Sequence, residues 1–313
     1  MVGFEVTLIN VLMMLAYVIP GYLISKLKKT SVDHLPTLSA VLVYICSPCL
    51  MFNSFLSIEC NKENVLNMLL FLLVSAVIQI GFMLVVYLVC FKNRESGKVR
   101  FFTIASTCGN VGFFGLPLVK AILPTNPEVV LYASMFILSM NIIVFTLGVF
   151  LLSGKKEYIS FKAGLVNPTT LGLCLALPFF ITNSKGVIPT VVIDAIELLS
   201  KASTPLCMII LGIRLANMNF KKIFLNGTAY LSTLGKLVLI PLFALLCVVF
   251  LPVSVSFKMT AVILAGSPCA VFVYNLSEIH GGDRETAANS VLLSTMLCFI
   301  TLPLLTLLLT TIL

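Results

Sequence analysis

Charge is scarce in this sequence: acidic and basic side chains together make up 10% of its 313 residues, and tryptophan is absent altogether. A soluble domain covers itself with roughly a quarter of its residues charged, so water cannot be the main solvent of this chain. Histidine is almost missing. His34 and His280 stand alone in loops at opposite ends. A membrane enzyme would need a paired-aspartate protease site or an HExxH zinc motif, so no enzyme, metal or cofactor is expected. There are also no ~10-residue segments of alternating polarity, which excludes a β-barrel. The formal net charge of +8 comes from short clusters of Lys and Arg between apolar runs. Without a contiguous basic patch or an aromatic ladder, it does not point to nucleic acid.

The ten cysteines lie mostly in or at the ends of apolar stretches, where a free thiol behaves as a small hydrophobe. Cys46-Ser47-Pro48-Cys49 has CxxC spacing, but it sits inside a span with no βαβ context and no second ligand pair.

What the chain does contain is hydrocarbon. Hydrophobic residues are 59% of the sequence and its mean hydropathy is +1.12. A bilayer-crossing helix takes about 17–25 apolar residues. The runs 6–25, 36–57, 64–91, 99–121, 128–153, 162–183, 188–213, 223–251, 257–279 and 284–312 meet that length. The expected fold class is an all-α membrane protein of about ten transmembrane helices. The first run has no basic residue before it and Lys26, Lys28 and Lys29 after it, the reverse of a signal peptide.

Loop charge gives an orientation. The connections after spans one, three, five, seven and nine carry Lys26, Lys28, Lys29, Lys92, Arg94, Lys98, Arg100, Lys155, Lys156, Lys162, Arg214, Lys221, Lys222 and Arg284. The opposite set carries Lys62, Lys120, Lys185 and Lys258. The positive-inside rule then puts both termini outside a cell (inner or plasma) membrane. Asn226-Gly227-Thr228 fits a glycosylation sequon, but it falls on the inner side.

At an offset of 157, Ser47-Pro48 aligns with Thr204-Pro205, Gly109-Asn110 with Gly266-Ser267, and Glu128 with Glu285. Five spans per half would make such a repeat inverted, with halves 1–157 and 158–313 meeting near Gly154 to Glu157. Inverted repeats are a signature of alternating-access carriers. Span four holds three glycines and a proline between Gly109 and Pro117, and span nine holds Gly266-Ser267-Pro268 followed by Tyr274-Asn275. Interruptions at matching points of two halves mark a carrier's binding site. Backbone groups freed there must face a cavity or the protein interior. Half-helix N-termini there suit an anion. A Gly-rich packing face with a proline kink is the plainer alternative.

The Gly109-to-Pro117 run, with Asn110, Gly112, Gly115 and Pro117, resembles the hallmark of the auxin efflux carrier family. That family includes the plant PIN-FORMED carriers and bacterial permeases for malate or malonate. Gly281-Gly282-Asp283-Arg284, Ser294-Thr295 and Thr301-Leu302-Pro303 resemble the family's C-terminal span. The likeness covers essentially the whole chain. It departs from the long plant carriers, because only Ser153 to Lys162 stands where they have a large hydrophilic loop. The resemblance implies helices four and nine crossing at their broken centres. It also implies a scaffold of helices 1, 2, 6 and 7, transport helices 3–5 and 8–10, and an elevator motion, and it allows a homodimer through the scaffold. Asn110, Val111, Gly112, Pro117, Ser267, Pro268 and Asn275 become the candidate substrate-binding residues.

Charges inside the spans come next. Glu197 and Lys201 share a helix face at i, i+4 spacing, and Lys236 lies near the middle of span eight. Either the first two neutralise each other structurally, or all three tune the charge of the cavity or couple transport. The expected function is a secondary transporter of small organic anions, carboxylates such as auxin-like acids, malate or malonate. A ligand-binding membrane sensor of the same fold and a sodium-coupled bile-acid-type symporter are the alternatives. An ion channel would need a filter sequence or a charged ring.

Overall fold

A computed structural model describes residues 2–93, 96–217, 226–279 and 283–313. Arg94, Lys221, Lys222, His280, Gly281 and Gly282 lie outside the described residues. Among the described residues, eight helices are long and apolar enough to cross a bilayer. In chain order they are α1 (Val2–Lys26), α2 (Val32–Leu56), α3 (Lys62–Val89), α5 (Val129–Ser153), α6 (Lys156–Ile181), α7 (Thr190–Ala216), α8 (Gly227–Val248) and α10 (Arg284–Ile312). The other two spans are each in two pieces. α4 consists of α4a (Gly97–Thr107) and α4b (Val111–Ile122), and α9 of α9a (Val255–Ala265) and α9b (Val271–Ile279). The ten expected spans are therefore present, with the fourth and ninth interrupted. Among the described residues the single β feature is an antiparallel bridge between Gly109 and Cys269.

Polar side chains start these helices as the physics of orphan N–H groups requires. Asn61, Asn167, Asn226, Ser254 and Asp283 each accept a hydrogen bond from the backbone of the first turn. Asn226 therefore has a structural task in the sequon it begins. Its Oδ1 caps α8 and its Nδ2 donates to Thr286 Oγ1 at 2.8 Å.

Proline shapes the spans differently. Its ring clashes with the carbonyl four residues back, and it has no N–H to donate. Three spans widen by one residue just before one: Leu42–Cys46 before Pro48, Val111–Gly115 before Pro117 and Gly235–Leu239 before Pro241. In each, the closing bond spans five residues, as from Leu116 N to Val111 O.

Two sets of packed helices can be followed, joined where α1 lies along α10 and α4b. α1 lies along α7, and α2 lies along both α6 and α7. Glycine permits the close approach: Gly21 and Gly212 bring the α1 and α7 backbones together, and Gly172 brings α6 onto Pro48 of α2. In the second group, α3 packs on α5, α8 on α10 and α4a, and α9a on α5. α5, α8 and α10 are the most buried spans at 56% and α1 and α2 the least at 28%, with α3 at 39% and α7 at 44% between them. Outward faces carry Leu73, Leu175, Val191, Leu246 and Phe250, which lipid can solvate and water cannot.

The loops sort to two ends. Asn217 of α7 donates to Ser25 of α1, and Asn226 ahead of α8 to Thr286 of α10. Asn183 after α6 clamps the Cys60 backbone after α2, and Ser256 of α9a donates to Glu128 ahead of α5. Connections of the basic set thus meet one another, as do those of the other set.

Candidate functional site

The two interruptions satisfy each other. α4a ends at Thr107 and α9a at Ala265, and neither chain can continue its helical bonds through the Gly-Asn or Ser-Pro that follows. Asn110 N donates to Pro268 O at 2.7 Å, and Ala270 N donates to Cys108 O at 3.1 Å. Cys269 N donates to Ser294 Oγ of α10 at 3.0 Å. Backbone groups that hydrocarbon would leave bare are thereby paired across the bridge, which removes a cost of several kcal/mol per group.

Beyond the bridge both chains turn helical again. The first backbone bonds of α4b run from Phe114 N and Gly115 N to Asn110 O, and that of α9b from Val273 N to Ala270 O. The N–H groups of Val111, Gly112, Phe113, Val271 and Phe272 precede those bonds and have no helical partner by construction. All five residues line one cavity of about 380 Å³. Its remaining wall comes from α2 (Ser39, Tyr44, Ser47, Met51), α5 (Asn141), α6 (Thr169) and α7 (Cys207, Ile210), with Asn167 just ahead of the long helical part of α6. The cavity therefore lies between the two packing groups. Among the described residues no charged side chain lines it, and its polar groups are chiefly the amides of Asn110, Asn141, Asn167 and Asn275.

Of the residues that the sequence singles out, Asn110, Val111, Gly112 and Asn275 meet in this wall. Asn110 also donates from Nδ2 to Cys207 Sγ at 3.7 Å, which ties the break to α7. Pro117, Ser267 and Pro268 stand outside the lining. Pro117 follows the widened turn of α4b; Ser267 is buried under Gly115 and donates to Ile263 O; Pro268 supplies the carbonyl that Asn110 N uses. Glu197 and Lys201 are far from it in character: both are exposed, and they pair with each other at 2.6 Å. Lys236 lies behind the bridge, fully buried, with Nζ donating to Ala265 O at 2.7 Å and Thr107 O at 3.3 Å.

Sequence reasoning misses Asn141, Asn167 and Thr169. An isolated amide in an apolar run, as at Asn141, is the signal that could have found the first. Asn167 reads locally as the cap that it also is, accepting from Thr170 N.

Comparison with known proteins agrees with this architecture. A family model described as "Membrane transport protein" matches residues 6–306. An uncharacterized transporter from Methanothermobacter thermautotrophicus is 25% identical over 299 residues, covering 94% of this chain and 96% of its own length.

Proposed function

Because the chain belongs to the membrane transport protein family, that of the auxin efflux carriers, we propose that it is a secondary carrier of small organic anions with one carboxylate and an apolar body. The observation that carries this reading is the opening of two half-helix N-termini, α4b and α9b, on one cavity. Each N-terminus is equivalent to roughly half a positive charge, so together they match about one negative charge. With no charged side chain among the described residues of the wall, a second carboxylate would be desolvated without a counter-ion. The apolar lining from Met51, Val111, Phe113, Ile137 and Ile210 suits a hydrocarbon or aromatic body. Auxin-like monocarboxylates fit better than malate or malonate. Asn110 and Asn275 supply neutral hydrogen bonds that orient the ligand.

Movement follows from where the cavity lies. One wall belongs to α2, α6 and α7, the other to α4, α5 and α9. In this reading α1, α2, α6 and α7 are the fixed scaffold and α3–α5 with α8–α10 the moving body. The broken helices cross at the bridge, and the body carries the site past the scaffold in an elevator motion. The halves 1–157 and 158–313 are inverted repeats; the equal length of α4a and α9a, 11 residues each, supports this. The basic loops face the cytoplasm, with both termini outside.

The test is a thermal-shift series on purified protein, since only a ligand of the folded state stabilises it. Phenylacetate and indole-3-acetate should raise the melting temperature in sodium-free buffer, and malate and malonate should do so less. Stabilisation by dicarboxylates alone would reverse the substrate assignment, and no response to any carboxylate would remove the anion reading.

A further inference from the structure

Lys236 is the only charged side chain among the buried described residues, and its relative exposure is 0%. Among the described residues no carboxylate lies within ion-pair distance of it. An ammonium in the membrane interior needs compensation. Here it comes from the backbone. Thr107 and Ala265, whose carbonyls accept from Nζ, are the last residues of α4a and α9a. Each helix C-terminus is equivalent to roughly half a negative charge, so the two ends together balance one ammonium.

The surroundings are built to admit it. The widened turn Gly235–Leu239 carries Lys236, and Gly235 rests directly on Ser106 and Phe102, which lets α8 approach α4a. At Gly109 an added Cβ would stand 2.8 Å from Nζ and 3.0 Å from Cε, so the bridge needs a glycine there for the lysine to fit. In α3, at the same offset of 157, the corresponding residue is Gln79, which is buried and donates to Ser139 Oγ at 3.3 Å. Only one of the two equivalent positions carries a charge.

In broken-helix carriers, half-helix C-terminal ends and unwound carbonyls are where a coupling Na⁺ or H⁺ is held. We propose that Lys236 is a built-in substitute for a coupling cation: its ammonium holds the C-terminal ends of α4a and α9a together, so the cavity in front is complete without external sodium. It is a positioning residue, since it touches the bridge and not the cavity. The consequence for anion binding rests on the function proposed above; the cation substitution itself does not.

The experiment uses the full chain in detergent, with thermal unfolding and phenylacetate binding measured in choline, sodium and methylammonium buffers. The wild type should unfold at one temperature and bind with one affinity in choline and sodium. Lys236→Met, which fills the space without charge, should bind about tenfold more weakly in every buffer. Lys236→Ala should be destabilised in choline and regain at least half of the lost melting temperature in ~100 mM sodium or methylammonium, because a cation that binds only the folded form stabilises it. If Lys236→Ala is recovered only as aggregate in choline, a monodisperse species in sodium or methylammonium supports the proposal, and aggregation in all three overturns it. It is equally overturned by a sodium requirement in the wild type, by a Lys236→Met protein as stable as the wild type, or by no gain from any small cation. If the wild type binds no carboxylate, the anion reading fails while the unfolding arm still decides the role of Lys236.

Discussion

Two lysines of this chain look alike in sequence and behave as opposites in the structure. Lys201 and Lys236 both interrupt apolar spans, and Lys201 has a carboxylate one turn away in Glu197. Lys201 is 71% exposed and makes its 2.6 Å ion pair at the periphery of α7. Lys236 is wholly buried and is met by carbonyl oxygens alone. A nearby opposite charge therefore does not identify the functional cation. What matters is whether the group is compensated by structure that the chain cannot rearrange cheaply, and two helix ends locked by a backbone bridge are such structure.

The contrast is broken most severely by putting a charge on the cavity side of the bridge. Asn110→Asp is nearly isosteric and leaves its backbone bond to Pro268 O available. It would add a negative charge at the N-terminus of α4b, cancelling the partial charge proposed to hold the substrate. Phenylacetate affinity should fall by about 100-fold, the effect of roughly 2.7 kcal/mol. Asn275→Asp should act in the same direction. Retained binding in both variants would mean that the half-helix ends do not face the ligand.

Gly109→Ala tests the other side of the bridge with the lysine intact. Its methyl group would crowd Nζ at 2.8 Å and Ser267 O at 3.3 Å, and the neighbour within reach to move is the ammonium. Overpacking of this kind costs about 1–3 kcal/mol. The melting temperature should drop, and Gly97→Ala, where an added Cβ meets nothing within 4 Å, serves as the control. Equal melting temperatures for the two variants would show that the ammonium is not held where the bridge requires it.

The same contrast marks what the sequence makes legible. Span length, loop charge and the Gly-Pro interruptions are local properties, so the residue order alone is enough to read ten helices and two breaks. Asn110, Val111, Gly112 and Asn275 are accessible for the same reason: they adjoin the breaks. That the two breaks meet is legible through the family resemblance alone; the bond itself leaves no local trace, because Asn110 N and Pro268 O are distant in sequence and carry no side-chain signal. Lys236, expected to tune the cavity charge, instead lies behind the bridge. Its direction depends on a widened turn before Pro241, and apolar periodicity does not record that turn. Asn167 and Thr169 are hidden because they reach the cavity from the opposite packing group, which only tertiary structure brings into place.

A smaller effect is expected where α8 and α10 begin. Asp283 accepts from Thr286 N at 3.1 Å and from Thr286 Oγ1 at 2.5 Å, and Asn226 Nδ2 donates to that same hydroxyl oxygen. Burial acts to raise the Asp283 pKa, but the Thr286 hydroxyl and the backbone N–H groups of Thr286 and Glu285 outweigh it and hold the carboxyl below its ordinary value. A depressed carboxyl stabilises the fold above its unfolded pKa of 3.8 and loses that contribution as pH falls through the folded value. Asp283→Ala should therefore cost about 1 kcal/mol at neutral pH, as loss of a helix cap does, and the difference from wild type should shrink in acid. Unfolding curves at neutral and acid pH check this; a difference that grows in acid would assign the cap to another group.

The least effect should come from the pair that first draws the eye. Glu197 and Lys201 are both exposed, and neither lines the cavity. Where water reaches both partners an ion pair contributes little, because each remains solvated when the two separate. Glu197→Gln, Lys201→Met and the double variant should each unfold within ~1 °C of the wild type and bind phenylacetate with affinity unchanged within about twofold. The double variant carries the argument. If the pair is merely a neutral surface contact, removing both charges resembles removing either one. If Lys201 steers anions toward the cavity, its single removal weakens uptake at low salt while Glu197→Gln strengthens it, and high salt erases both effects. Opposite shifts of that kind in proteoliposome uptake would return Lys201 to the same functional class as Lys236, and the contrast between the two lysines would have to be abandoned.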